Sequence, residues 1–305
     1  MPMYRQKHLV LLFLGPALAT YLIFIVYPFI SSFHYSLFNW NGIGPLNDYV
    51  GLGNYAYVLF SHQFSGFFWR AIAHNLVFFV ISMVLTLFVG LGLAIALMAI
   101  SEKVARWFQV IYFIPLVIPP VVVAYLWAIY LEPNFGLIAT IGTRLHIAFL
   151  QLPFLGSQTL ALPVIAVITA WAGMGFPILV FLASLMDIPK ELLDAAKIDG
   201  ANSFQTFWSV TLPMIKPTIF TIMTLNFVGS FGVFDLIYIM EGTQAGPNYS
   251  TDVLGTLFYR TAFGGFGTTA QNMGLATALA VIGFGLVMLA SGLFVYLQRR
   301  SVVEF

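Results

Sequence analysis

The sequence predicts an all-α integral membrane protein with six transmembrane helices. Hydrophobic residues make up 60% of the 305-residue chain and charged residues only 8%, against about 25% charged in an ordinary soluble protein. The apolar residues lie in continuous runs, and six of these reach the roughly 20 residues a helix needs to cross about 30 Å of hydrocarbon. Strands of a membrane barrel alternate in pieces of about ten residues, so runs of this length are expected to satisfy their backbones as helices.

The six runs cover Leu9 to Ile30, Ala71 to Ile100, Trp107 to Leu131, Leu160 to Met186, Pro217 to Met240 and Asn272 to Leu297. Arg5 and Lys7 precede the first, and Ala17, Leu18 and Ala19 have the small-residue look of a signal cleavage site. The run nevertheless continues from Tyr21 through Ile30, longer than a signal core needs, so a retained span is expected. The gap after it, with FNWNGIGPLNDYVGLGNY, predicts turns and short interfacial helices. Trp40, Tyr49, Tyr55 and Tyr57 suit anchoring at headgroup level, with stacking on a ligand as the other reading. His74, near the start of the second span, is expected to be satisfied at the interface.

Pro115, Pro119 and Pro120 each remove a backbone donor from the third span and predict a kink or break. A break facing lipid would leave carbonyls unsatisfied, so this region should pack against protein or line a cavity. In the fourth span Gly173, Gly175 and Pro177 either permit close helix packing or face a pathway. The fifth carries Asn226, Ser230 and the one carboxylate within the apolar runs, Asp235. A carboxylate at mid-membrane costs about 2.5 to 3.5 kcal/mol, less near a span end, where Asp235 lies. Pathway lining and helix-end hydrogen bonding are both open for it.

Basic residues collect on the cytoplasmic side of a membrane. Nine of the twelve, Arg5, Lys7, Lys103, Arg106, Lys190, Lys197, Lys216, Arg299 and Arg300, fall in one alternating set of gaps and ends; Arg70, Arg144 and Arg260 fall in the other. Both termini and the polar island Asp194 to Pro213 are therefore expected in the cytoplasm. The gaps Ser31 to Arg70, Glu132 to Thr159 and Glu241 to Gln271 are expected outside. With no cysteine, the chain can form no disulfide, thiolate metal site or Cys nucleophile. It has no GxxxxGK and no HExxH, so it is expected to hold no metal and no cofactor of its own. The spans lack the ionisable series of an ion-coupled secondary carrier, which is the rival transport reading. A net charge of +1 gives no reason to expect a nucleic-acid partner; membrane lipid is the expected surround.

The polar island is the most informative segment, because spanning a membrane does not require it. Asp187 can cap a helix with Pro189 in its first turn, running to about Ile198, with Leu192, Ala195 and Ala196 on one face. Lys190 and Asp194, four apart, can pair. Gly200 supplies the bend, Ser203 can cap a second helix bearing Phe204, Phe207 and Trp208, and Pro213 is expected to end it. Two short helices with a glycine elbow can seat in a groove on a partner; the other reading is an interfacial helix lying on the lipid, which Phe and Trp favour but Asp194, Asp199 and the alanines do not.

This island resembles the EAA loop of permease subunits in binding-protein-dependent ABC importers. Asp194, Ala195, Ala196, Gly200, Val210, Leu212 and Pro213 stand at that family's spacing, and the strings DAAKIDGA, with Asp199 and Ala201, and TLPMIKP are similar to its carbohydrate branch, the maltose and glycerol-phosphate permeases. YPFISSFHYSLFNWNG, VGLGNY, EPNFGLIATI and FDLIYIMEGTQAGP resemble further segments of those permeases. Asp194 stands where the family usually has Glu, Val210 where Ile is commoner, and EGTQAGP where a Thr-Gly-Gly-Pro turn is usual.

The resemblance implies a type I ABC importer permease fold. The expected organisation is residues 1–70 as an N-terminal span with an external loop, 71–298 as a five-span permease core with its coupling loop at 187–216, and 299–305 as a cytoplasmic tail. It implies a bacterial or archaeal plasma membrane and no catalytic centre in this chain. The implied partners are a second, homologous permease subunit, two ATP-binding cassette subunits that bind ATP and Mg, and an extracytoplasmic solute-binding protein. Asp194, Ala195, Ala196, Asp199, Gly200, Ala201, Phe207, Val210, Leu212 and Pro213 would contact the ATPase. Matching to the maltose relative points to Trp171, Met174, Gly175, Ile178, Asn226, Gly229, Ser230 and Val233 as lining a sugar site; helix packing is an equal reading for them. The absence of a nucleotide motif predicts that the purified chain binds no ATP, and stoichiometric binding in equilibrium dialysis of the lone subunit would contradict this.

Overall fold

The computed structural model describes residues 4–264 and 271–301, with side chains from Leu12 to Arg300 apart from the interval between. Among these, four helices are apolar and long enough to cross a membrane alone: Leu12–Tyr35, Ser65–Met98, Ser203–Phe231 and Met273–Arg300. Two bent pairs, Glu102–Val117 with Pro120–Tyr130 and Ala161–Gly173 with Gly175–Met186, are long and apolar enough to do so jointly, which gives up to six spans by length and composition.

The breaks follow from local chemistry. The third span bends by 94° where Pro119 precedes, and Pro120 begins, its second half. A helix start leaves its first amides without helical partners, but Pro119 and Pro120 have no N–H to orphan. The Val122 and Val123 amides donate to the Pro119 carbonyl at 2.9 and 3.2 Å. The fourth span bends by 53° at Met174, because Pro177 cannot donate to the carbonyl of Gly173 four residues back. Gly175 lets the bend pack tightly: a Cβ there would lie 2.7 Å from the Tyr112 carbonyl and 3.0 Å from the Phe113 Cα.

The fifth span differs from the expected run to Met240. Its helix stops at Phe231, Gly232 to Phe234 interrupt it, and a short helix, Asp235–Glu241, follows. Asp235 opens that helix with an exposed side chain.

In the island the first helix is Lys190–Ile198, preceded by Pro189 rather than capped by Asp187. Asp194 pairs with Lys197 at 3.0 Å and not with Lys190. Gly200 takes φ +81°, the left-handed conformation that ends a helix at lowest cost without a side chain. The cap of the next helix is Asn202, not Ser203: its Oδ1 accepts from the Gln205 amide at 2.9 Å while Gln205 Oε1 accepts from the Asn202 amide at 2.9 Å, a reciprocal pair. Pro213 does not end this helix. A π-type turn at Phe207–Thr211 accommodates the missing donor, and helix runs unbroken from Ser203 to Phe231.

The chain divides into two compact units, one holding the residues up to Phe68 with Phe258–Phe284, the other Trp69–Leu257 with Gly285 onward. In the first, none of the most apolar stretch of Leu12–Tyr35 is buried. Its connecting segment is ordered by Asn54, whose Nδ2 donates to the Ser36 and Phe38 carbonyls at 2.9 and 2.8 Å. The second unit has two apolar cores. One gathers Phe78, Val123, Ala124, Ile165, Ala166, Ile237 and Val253; the other gathers Leu91, Ala94, Met174, Ile178, Phe181, Ile215 and Ile222, with Leu193 and Phe207 of the island packed on it.

Glu241 lies in this second unit, in the segment between the fifth and sixth spans. Its Oε1 is buried without a hydrogen-bond partner, and burial raises its carboxyl from the ordinary 4.5 to about 8. A carboxyl whose folded value is raised holds its proton more tightly folded than unfolded. Its packing is therefore fully stabilised below about 4.5, and that contribution is lost as pH rises towards about 8. We expect the melting temperature of the purified protein to fall across this range, and Glu241→Gln to flatten the fall; identical profiles for the two would refute the assignment.

Candidate functional site

A cavity of about 180 Å³ lies between the second, fourth and fifth spans, lined by Phe78, Ser82, Thr86, Thr169, Ala170, Gly173, Pro177, Asn226, Gly229 and Ser230. Helical spacing delivers these groups to one place. Phe78, Ser82 and Thr86 stand four apart on the second span, Thr169 and Gly173 on the fourth, and Asn226 and Ser230 on the fifth, so each helix presents one face. Thr86 also begins a π-type turn, Thr86–Gly90, a local widening often found at functional sites.

The lining carries no charge and is mixed, with the polar groups of Ser82, Thr86, Thr169, Asn226 and Ser230 set among Phe78, Ala170 and Pro177. Asn226 Nδ2 donates to Thr86 Oγ1 at 3.4 Å, and Ser230 Oγ donates to Asn226 Oδ1 at 3.3 Å. Both distances exceed the usual 2.7 to 3.2 Å, so these groups keep capacity for another partner. Ser82 is only 4% exposed, and its hydroxyl has no partner. A buried unsatisfied hydroxyl costs about 1 to 3 kcal/mol, which a ligand hydroxyl or a water would relieve. Pro177 leaves the Gly173 carbonyl without its helical donor, and both residues line the cavity. Beside Gly229 a Cβ would meet nothing within 4 Å. The arrangement offers hydroxyl, amide and carbonyl groups to a neutral, hydroxyl-rich molecule.

Of the residues expected from sequence to line a sugar site, the cavity brings together Asn226, Gly229 and Ser230. Met174 and Ile178 pack in the core around Phe181, and Val233 in the core around Ile165. Gly175 lies against the backbone of the third span. Trp171 is half exposed and meets Trp127 edge to face at 5.6 Å. Ser82, Thr86 and Thr169 were not anticipated. For Ser82 and Thr86 the signal was their four-residue spacing within an apolar helix.

The island forms a second surface. Asp194, Ala195, Asp199 and Gly200 are exposed, whereas Ala196, Ala201, Phe207, Val210, Leu212 and Pro213 are half-buried. Three large apolar side chains stand out beside them: Ile198 (87% exposed), Phe204 (72%) and Trp208 (54%). With Phe207 seated on the core and its neighbours outside, the elbow is anchored on one side and open on the other.

Two bent spans, an uncharged cavity with hydroxyl and amide groups between helices, and an exposed elbow fit a membrane-embedded transport component. The chain belongs to the family described as "Binding-protein-dependent transport system inner membrane component", which it matches over residues 87–302. It is 33% identical over 291 residues to the multiple sugar-binding transport system permease protein MsmF of Streptococcus mutans, covering 95% of each chain. It is 31% identical over 281 residues to the probable ABC transporter permease protein YurN of Bacillus subtilis, covering 91% of each. Its fold is similar to that of a chain in the crystal structure of a bacterial ABC transporter involved in the import of the acidic polysaccharide alginate, with a TM-score of 0.78, 24% identity, and 97% and 96% of the two chains covered.

Removing one hydrogen-bonding side chain from the cavity is expected to weaken ligand dependence by about tenfold, the equivalent of roughly 1.4 kcal/mol. Asn226→Ala, Ser230→Ala and Ser82→Ala should each raise the half-saturating solute concentration for transport in the assembled importer. An unchanged concentration dependence in all three would remove the cavity from consideration.

Proposed function

We propose that this chain is a permease subunit of an ATP-driven importer for a neutral sugar or short oligosaccharide. The observation that carries the reading is the cavity: uncharged, walled by Ser82, Thr86, Asn226 and Ser230, and about 180 Å³ in volume. That space is many times the roughly 10 to 15 Å³ that one water needs, which leaves room for a small hydroxyl-bearing group. The naming of the Streptococcus mutans relative for multiple sugars supports the substrate class. Trp171, on the same helix as Ala170 and Gly173 of the lining, offers a stacking surface outside it.

The chain acts without a catalytic centre. ATP and Mg bind to two partner ATP-binding cassette subunits, a second and homologous permease completes the pathway, and an extracytoplasmic solute-binding protein delivers the solute. The charge asymmetry of nine basic residues against three supports cytoplasmic termini and a cytoplasmic island in a bacterial or archaeal plasma membrane. The elbow from Asp194 to Pro213 seats in the ATPase, with Ala195 and Ala196 allowing close approach and Asp199, Ala201, Val210 and Leu212 completing the contact.

Helix continuity supports a direct mechanical link. Phe207 of the elbow and Asn226 of the cavity lie on the same unbroken helix, Ser203–Phe231, about 28 Å apart along its axis at 1.5 Å per residue. Movement of the elbow as the ATPases close on ATP therefore reaches the cavity wall without crossing a joint. ATP favours one state of the pathway only through contacts that differ between states, and the elbow supplies them.

The test is reconstitution of the importer with its partner subunits and binding protein in proteoliposomes, followed by uptake of labelled maltose, raffinose and diacetylchitobiose. ATP-dependent accumulation of at least one is expected; accumulation driven by an ion gradient without ATP would reject the reading. Gly200→Val, which forces a β-branched residue into φ +81°, is expected to leave insertion intact and to reduce uptake by tenfold or more, since the left-handed conformation costs about 1 to 2 kcal/mol. Normal uptake by that variant would remove the elbow from the coupling path.

A further inference from the structure

Asn75 is 0% exposed in the second span, and both ends of its amide bond to the backbone of other elements. Its Nδ2 donates to the Ser230 carbonyl at 2.7 Å, and its Oδ1 accepts from the Leu254 amide at 2.9 Å. Each of those groups lies at a helix end. The fifth span stops at Phe231, one residue after Ser230, and Leu254 opens the helix Leu254–Phe263. Such terminal groups have no helical partner, and both residues are buried away from water, Ser230 at 4% and Leu254 at 6% exposed, so the partner has to come from the protein. A single carboxamide therefore satisfies the end of one helix and the start of another.

Neighbouring contacts hold the same junction. His74 Nδ1 donates to the Asp252 carbonyl at 2.7 Å. Thr256 Oγ1 accepts from the Val253 amide at 2.9 Å and donates to Asp252 Oδ1 at 2.8 Å. Gly255 admits the closest approach, since a Cβ there would lie 2.8 Å from the Val233 carbonyl in the break after the fifth span. The segment from Asp252 to Thr256 is thus fastened both to the second span and to the interruption that follows Ser230.

We propose that Asn75 is a positioning residue for the cavity: by joining the Ser230 carbonyl to the Leu254 amide, it sets the place of the Ser230 hydroxyl and makes the cavity wall move with the segment at 252–256. Asn75 is absent from the cavity lining and acts through Ser230. The inference rests on the import reading, because its effect is read as dependence on solute.

The experiment uses the full importer in proteoliposomes with maltose, raffinose and diacetylchitobiose as probes. Asn75→Leu keeps similar size and removes both hydrogen bonds. It is expected to raise the half-saturating concentration of the transported sugar about tenfold while sugar-free ATPase activity stays at the wild-type rate. Because the effect passes through Ser230, combining Asn75→Leu with Ser230→Ala should give about the same rise as either alone; two independent lesions would multiply to about a hundredfold. Asn75→Ala, measured in parallel, carries the same expectation if the leucine variant fails to assemble. An unchanged half-saturation, or a multiplicative double variant, overturns the proposal and leaves the import reading intact. If none of the sugars is transported by the wild type, that reading falls, and the tie is judged by amide hydrogen exchange. Faster exchange in both 228–236 and 250–257 of Asn75→Leu supports it, and unchanged protection in either overturns it.

Discussion

Backbone groups at membrane depth must find partners within the protein, and this requirement shapes the breaks in the third, fourth and fifth spans. The third span breaks where two prolines have no N–H to leave unpaired. The fourth bends where Pro177 withholds a donor from Gly173, beside a cavity able to bring another one. The fifth ends near Ser230, and a buried asparagine on another span takes up its carbonyl. Breaks, cavity and clasp are consequences of a single constraint, and without such coverage each interruption would expose polar backbone to hydrocarbon.

The same constraint explains why the cavity can be polar without being rigidly satisfied. A fully bonded polar network in the interior stiffens the structure and would leave nothing to offer a solute. Here Asn226, Thr86 and Ser230 are joined by long contacts, and the Ser82 hydroxyl has no partner. Hydroxyls of a passing solute can replace those contacts at little cost. Charged groups in their place would bind ions or pair with one another, at a desolvation penalty.

Features set by one or two residues could be read from sequence. Pro119 and Pro120 break a helix because of their own covalent geometry, and Gly200 turns because it alone lacks a Cβ, so both were expected where they occur. The helix start at Asn202 rather than Ser203 was harder, since both residues cap well and stand side by side; the reciprocal bond from Gln205 decides between them. Pro213 misled because its missing donor is absorbed by a π-type turn formed by the residues before it. Met174 and Ile178 sit in spans apolar on every side, where periodicity does not separate a core face from a pathway face. Thr169 illustrates why hydroxyls were passed over: its Oγ1 donates to the Ile165 carbonyl at 2.8 Å, which any threonine in a helix can do. Only its convergence in space with Ser82 and Asn226 marks it.

The unbroken helix from Ser203 to Phe231 reconciles a hydrophilic elbow with a polar cavity far from it. Had Pro213 ended the helix, motion of the elbow would have been taken up by a flexible joint, and the two sites would respond separately. The π-type turn keeps the rod continuous, while Phe207 and Leu193 seat its base on the core around Phe181. At its other end the rod stops at Phe231, and Asn75 fastens the terminal carbonyl of Ser230 to the next segment. In the proposed mechanism this helix is a lever: the π-type turn keeps its shaft continuous, apolar packing of Phe207 and Leu193 supports its base, and the Asn75 amide attaches its tip.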